Sequence, residues 1–68
     1  MALYKTLGEK IKKYRKEKGL TQEQLADAAE IERSYMGTIE RGERNPTLLK
    51  VYKIAKALTV NLSELLNF

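Results

Sequence analysis

Apolar residues along this chain recur at intervals of three and four rather than two, the spacing of helices with one face turned inward. Leu3, Leu7, Ile11 and Tyr14 form the first stripe, and lysines at 10, 12, 13, 16 and 18 occupy much of the surface around it. Gly19 then supplies the permissive backbone that ends a helix. "TQEQ" follows, with Thr21 as N-cap and Gln24 three residues on, a capping box that opens a second helix over about 22–29. Leu25, Ala26 and Ala29 set its inward face. A third helix is predicted over about 33–41, stopped by Gly42, and Asn45-Pro46 marks the turn beyond it. Thr47 caps a fourth helix, whose stripe is Leu48, Val51, Ile54, Ala55 and Leu58. "NLSE" offers Asn61 and Glu64 as another capping box, for a short fifth helix through Leu65 or Leu66. The pattern predicts an all-α, five-helix domain spanning residues 1–68, without repeat, linker or low-complexity tract.

The small residues Ala26 and Ala29 allow the third helix to cross the second closely, as a tight helix-turn-helix over about 21–41 requires. On a wheel of about 100° per residue, Tyr35, Met36 and Ile39 fall on one side of the third helix. Arg33, Ser34, Gly37, Thr38 and Arg41 fall on the other. That outer face carries cations and hydroxyls but no carboxylate, whereas the first helix mixes Glu9 and Glu17 among its lysines. Arginine donates twice to guanine O6 and N7, and Ser and Thr donate or accept, so the face as a unit suits a DNA major groove. Gly37 costs roughly 1 kcal/mol against alanine in a helix interior. It reads equally as a drifted surface position or as a gap that brings the backbone near the bases.

Composition narrows the chemistry. The net charge of +4 suits an anionic partner or merely a soluble surface, and does not choose between them. There is no cysteine and no histidine, so disulfides, thiolate ligands, the usual general base and the usual metal ligand are all missing. Nine carboxylates are scattered among thirteen Lys and Arg, and they form no cluster that would support an enzyme, a metal or a cofactor. Apolar runs are too short to span a membrane, and no apolar segment of a signal peptide follows the first lysines. A cytoplasmic protein is the expectation.

At this point the residues carry a resemblance. "LTQEQLADAAEIERSYMGTIERGERNPTLLKVYKIAKAL" resembles the helix-turn-helix of the Cro/C1-type (XRE) repressors, over nearly the whole chain from Leu7 through Leu66. "TQEQLA", "IERGERNP" and "IAKAL" are specific as a set, and "ERSYMGTIERGERN" is similar to restriction–modification controller proteins and small phage-type repressors. The resemblance implies a lambda-repressor-like domain. It implies base contacts by Arg33, Ser34 and Thr38, and backbone contacts by Gln22, Tyr35, Arg41, Arg44 and Asn45. It implies an ion pair between Arg15 and Glu40 that ties the first helix to the end of the third, with a shared phosphate role open for Arg15. The chain departs from the family pattern at three places. Glu30 and Thr59 stand where glycine is usual, leaving either a strained turn or another geometry. Glu32 replaces the usual Ser, Thr or Asp cap, and its carboxylate would either accept from cytosine N4 or repel phosphate.

Leu66 and Phe68 extend beyond the core pattern, and Leu62, Leu65, Leu66 and Phe68 are expected in a two-fold interface between copies, with Tyr52 a weaker candidate. The expected function is a transcriptional regulator that binds double-stranded DNA as a homodimer on a pseudo-palindromic operator. Its control would come through protein concentration rather than a small-molecule effector, because no effector domain is visible. The rival expectation is an antitoxin or adaptor-type protein-interaction module of the same fold.

Overall fold

The computed structural model describes residues 3–67, which form α1 (Leu3–Glu17), α2 (Gln22–Ala29), α3 (Arg33–Glu40), α4 (Leu48–Leu58) and α5 (Leu62–Leu66), with no strand among them. The architecture is the expected all-α bundle. Phe68, predicted at an interface, lies outside the described residues.

The helix starts follow the caps. Thr21 Oγ1 accepts from the Gln24 backbone N–H at 3.1 Å, and Gln24 Oε1 accepts in return from the Thr21 N–H at 2.8 Å. Thr47 Oγ1 accepts from the Lys50 N–H, and the Glu64 carboxylate accepts from the Asn61 N–H at 2.7 Å. The start of α3 differs, since the Glu32 side chain makes no cap bond to the backbone N–H groups of its helix.

The helix ends share one device. Beyond α1, α2, α3 and α4 the chain turns back, and Leu20, Ile31, Glu43 and Val60 donate their N–H to the carbonyls of Arg15, Ala26, Thr38 and Ala55. This turn needs one left-handed residue. Gly19 and Gly42 take it at φ of 72° and 75°. Glu30 and Thr59 take it at 58° and 57° despite their side chains, so the turns keep the family geometry and carry the strain.

The core is the sum of the inward stripes: Leu7 and Ile11 of α1, Leu25, Ala26 and Ala29 of α2, Met36 and Ile39 of α3, and Val51, Ile54, Ala55 and Leu58 of α4. Three sequence expectations are corrected. Leu3, placed in the first stripe, is 51% exposed, because it opens α1 past the edge of the core. Leu48, assigned to the inward stripe, is 63% exposed, because it opens α4 past the edge of the core. Leu65, assigned to the interface, is fully buried. A helix of five residues turns little of itself inward, and Leu65 is what α5 contributes to the core beside α1 and α4.

α1 lies directly on the end of α3. A Cβ at Gly8 would stand 2.8 Å from the Glu40 carbonyl oxygen, and one at Gly42 would stand 2.7 Å from Lys5 Cα. No helix among the described residues is long and apolar enough to cross a membrane.

Candidate nucleic-acid interface

Met36 and Ile39 anchor α3 in the core, which fixes the opposite side of the helix outward. Arg33 and Ser34 are exposed on its first turn, Thr38 is half-buried one turn later, and Arg41, Arg44 and Asn45 are exposed just beyond its end. Gln22 at the start of α2 stands beside Arg33, and Arg41 and Arg44 follow the end of α3, whereas Asn45 lines a groove with Leu3, Tyr4, Leu48 and Leu66.

The network beneath that surface begins at a buried ion pair. Arg15 Nε donates to Glu40 Oε2 at 2.8 Å and its second terminal nitrogen donates to Oε1 at 3.1 Å, a bidentate fork. The remaining Arg15 nitrogen donates to the Leu20 carbonyl at 2.9 Å. Gln22 Nε2 donates to Glu40 Oε1 at 3.3 Å, and Gln22 Oε1 accepts from the Arg33 guanidinium at 3.0 Å. A continuous relay thus runs from α1, through the end of α3 and the start of α2, to an exposed arginine on the first turn of α3. Among the described residues no buried side-chain polar atom lacks a partner.

Gly37 is corrected. The wheel left it as drift or as open room, but it is buried, and a Cβ there would stand 3.2 Å from the Arg41 guanidinium and 3.3 Å from Gln22 Oε1. Both side chains fold over the glycine, so its small size seats them.

Ser34, Thr38, Tyr35 and Arg41 have partners too. Ser34 Oγ donates to the Glu32 carboxylate, and Thr38 Oγ1 donates to the Tyr35 carbonyl at 2.6 Å. Tyr35 is half-buried, with the Lys50 ammonium 5.2 Å from its ring centroid, within cation–π range. Arg41 is paired with Glu43 at 2.9 Å. The Arg41 hydrogen bonds hold the Glu43 carboxyl below its ordinary range, and the same bonds raise Arg41. Sequence reasoning had no role for Glu43 or Lys50, and did not see that Gln22 joins Arg33. Glu43 is two residues from Arg41 and was readable; Gln22 and Arg33 are eleven apart and meet only through the fold.

Comparison with known proteins agrees with this geometry. A family model described as helix-turn-helix matches residues 11–65. An uncharacterised HTH-type transcriptional regulator, y4dJ of Sinorhizobium fredii, is 40% identical over 96% of this chain and 84% of its own length. The control protein C.SmaI of Serratia marcescens is 41% identical over 97% of this chain and 79% of its own. The crystal structure of the restriction–modification controller protein C.AhdI from Aeromonas hydrophila superimposes with a TM-score of 0.92 at 40% identity, over 96% of this chain and 98% of that one.

Proposed function

This chain belongs to the helix-turn-helix family of transcriptional regulators, and from that premise we propose that it binds duplex DNA sequence-specifically as a homodimer, in the manner of a restriction–modification controller. α3 enters the major groove, where Arg33, Ser34 and Thr38 meet base edges. Gln22, Tyr35, Arg41, Arg44 and Asn45 meet the sugar-phosphate backbone on either side. The role is binding, not catalysis, by one domain whose helix-turn-helix spans about 21–41. The observation that carries the reading is the outward set of Arg33, Arg41 and Arg44 around α3, while Met36 and Ile39 hold the helix down.

The homodimer is supported by size and by an apolar face. Two-fold half-sites lie about 34 Å apart, one turn of B-DNA. The described residues extend 29 Å at most, so reading two half-sites takes two copies. Leu3, Tyr4, Leu48 and Leu66 are exposed around a groove floored by Leu7 and Val51, and a second copy covers them. Of the residues first assigned to the interface, Leu66 lies on this face and Leu62 is half-buried against the core. Occupancy is set by dimer concentration, without a small-molecule effector.

Selection from a random duplex library tests the whole reading. Enrichment of one two-fold-symmetric consensus is the expected result. Enrichment of nothing, with a protein partner recovered from native extract instead, favours the adaptor alternative and removes this one.

A further inference from the structure

The start of α3 breaks the rule that the other capped helices keep. Its N-cap residue is a glutamate that leaves its own helix uncapped and instead accepts from the hydroxyl of Ser34. A serine hydroxyl has one proton to donate, so Ser34 presents only lone pairs to anything outside. Thr38 is committed in the same way, its proton given to the Tyr35 carbonyl. Both hydroxyls on the outer side of α3 are thereby acceptors, and the Glu32 carboxylate adds further acceptor positions beside Ser34.

We propose that Glu32 is a specificity-determining residue which, together with Ser34, selects a base that presents an amine in the major groove, with cytosine N4 preferred, at or beside the pair read by Arg33. The inference rests on the DNA-binding reading above and deepens it. In the major groove cytosine shows an amine donor, guanine and thymine show acceptors, and adenine shows an amine next to the N7 acceptor. A carboxylate and a hydroxyl lone pair meet cytosine favourably and repel guanine O6 and thymine O4. Adenine falls between, because its N7 faces the same acceptors. Arg33 supplies the complementary preference, since its guanidinium donates to guanine O6 and N7. Adjacent residues of opposite charge at the tip of one helix thus divide the two kinds of base edge between them.

The same pairing offsets the electrostatic cost of a carboxylate at this place. An uncompensated anion at the tip of a DNA-reading helix weakens binding to every sequence. Satisfied by Ser34 and a base amine, it weakens binding to all but the correct one. Discrimination comes from rejecting wrong bases as much as from holding the right one.

The test is competition binding of the full chain against duplexes in which each half-site position carries all four bases in turn. It is run for the wild type, Glu32→Gln and Ser34→Ala. The wild type is expected to prefer cytosine over guanine and thymine at one position by about tenfold or more. Glu32→Gln, whose amide both donates and accepts, is expected to flatten that preference and to bind random duplex more tightly. Ser34→Ala is expected to weaken the preference at the same position and no other. Glu32 is exposed and its recorded side-chain partner is Ser34, so both variants should melt like the wild type. If Glu32→Gln tightens binding to all duplexes alike with its base profile unchanged, Glu32 only repels phosphate and the proposal is overturned. A wild-type preference for guanine or thymine at the affected position overturns it equally. A wild type that selects no sequence at all overturns the DNA-binding reading itself, a result distinct from both.

Discussion

Arg33 stands on the first turn of α3 with its guanidinium tied to Gln22 Oε1, and Gln22 is tied in turn to buried Glu40. A long side chain held before binding loses less rotamer freedom on meeting a base. Arg33→Ala is therefore expected to cost about 1–3 kcal/mol in operator binding and to relax choice at one base pair. Equal losses on operator and random duplexes would show that Arg33 meets phosphate instead. Arg41 sits in the opposite situation, neutralised by Glu43 on the surface proposed to meet DNA. The lowered Glu43 pKa means that the pair contributes above the ordinary carboxylate range and is lost only as pH falls through the lowered value. Near neutral pH the carboxylate stays charged, and in the proposed complex it would compete with phosphate for Arg41. Glu43→Gln should accordingly tighten binding to all sequences and steepen the salt dependence by about one counterion, read from affinities measured across a salt series. An unchanged slope would leave Arg41 without a phosphate contact. Deeper in the same relay, Glu40→Ala strands the half-buried Arg15 fork and should cost about 3 kcal/mol of stability. For a chain of this length that is a large fraction of the total, and thermal unfolding by circular dichroism would show it.

The helix ends and the helix crossings place the strain at the scale of the elements. Four helices close with the same turn, yet glycine fills its left-handed position only after α1 and α3. Thr59 is β-branched at φ 57°, and its left-handed conformation costs roughly 1 kcal/mol or more. Thr59→Gly should remove that cost and raise the melting temperature by about 4 °C or more; an unchanged or lowered value would show that the freedom glycine adds to the unfolded chain outweighs the strain. Gly8→Ala acts in the other direction, because its Cβ would enter the backbone of Glu40 where α1 meets α3. A loss of about 1–3 kcal/mol is expected, with DNA affinity falling only as far as the folded fraction falls. The sequence carried the elements well, because caps and periodicity are local: Thr21 with Gln24, Thr47, and Asn61 with Glu64 each declare a start within four residues. It carried the crossings poorly. Nothing near Gly8 marks it as a contact point, and Gly37 read as exposed until Gln22 and Arg41 were seen to lie across it. The outward set on α3 was legible from the wheel, whereas the internal commitment of Ser34 and Thr38 as donors was not, since it depends on rotamers.

Across the whole molecule, the proposed homodimer needs a surface on which two copies meet, and the exposed apolar face is the candidate for it. One small module buries about 600–1,000 Å² on DNA, which limits what a single α3 can discriminate. Joining two modules makes the second half-site contact intramolecular and raises overall affinity far beyond either alone. The face with Leu3, Tyr4, Leu48 and Leu66 is the exposed apolar surface beside α5, and Leu65 beneath it is committed to the core. Leu66 is 38% exposed, so Leu66→Glu should disturb the monomer little while placing a carboxylate on both sides of a two-fold contact. The expected outcome is a monomer in sedimentation equilibrium where the wild type is a dimer. A palindromic operator should then be bound no better than an isolated half-site, with base preferences within the half-site unchanged. Leu48→Glu, on the same face but outside α5, should act in the same direction. If both variants remain dimeric with operator affinity intact, the copies meet elsewhere. The face around Leu49 and Tyr52 on the outer side of α4 would then be next to examine, because large apolar side chains stand exposed beside a groove there as well.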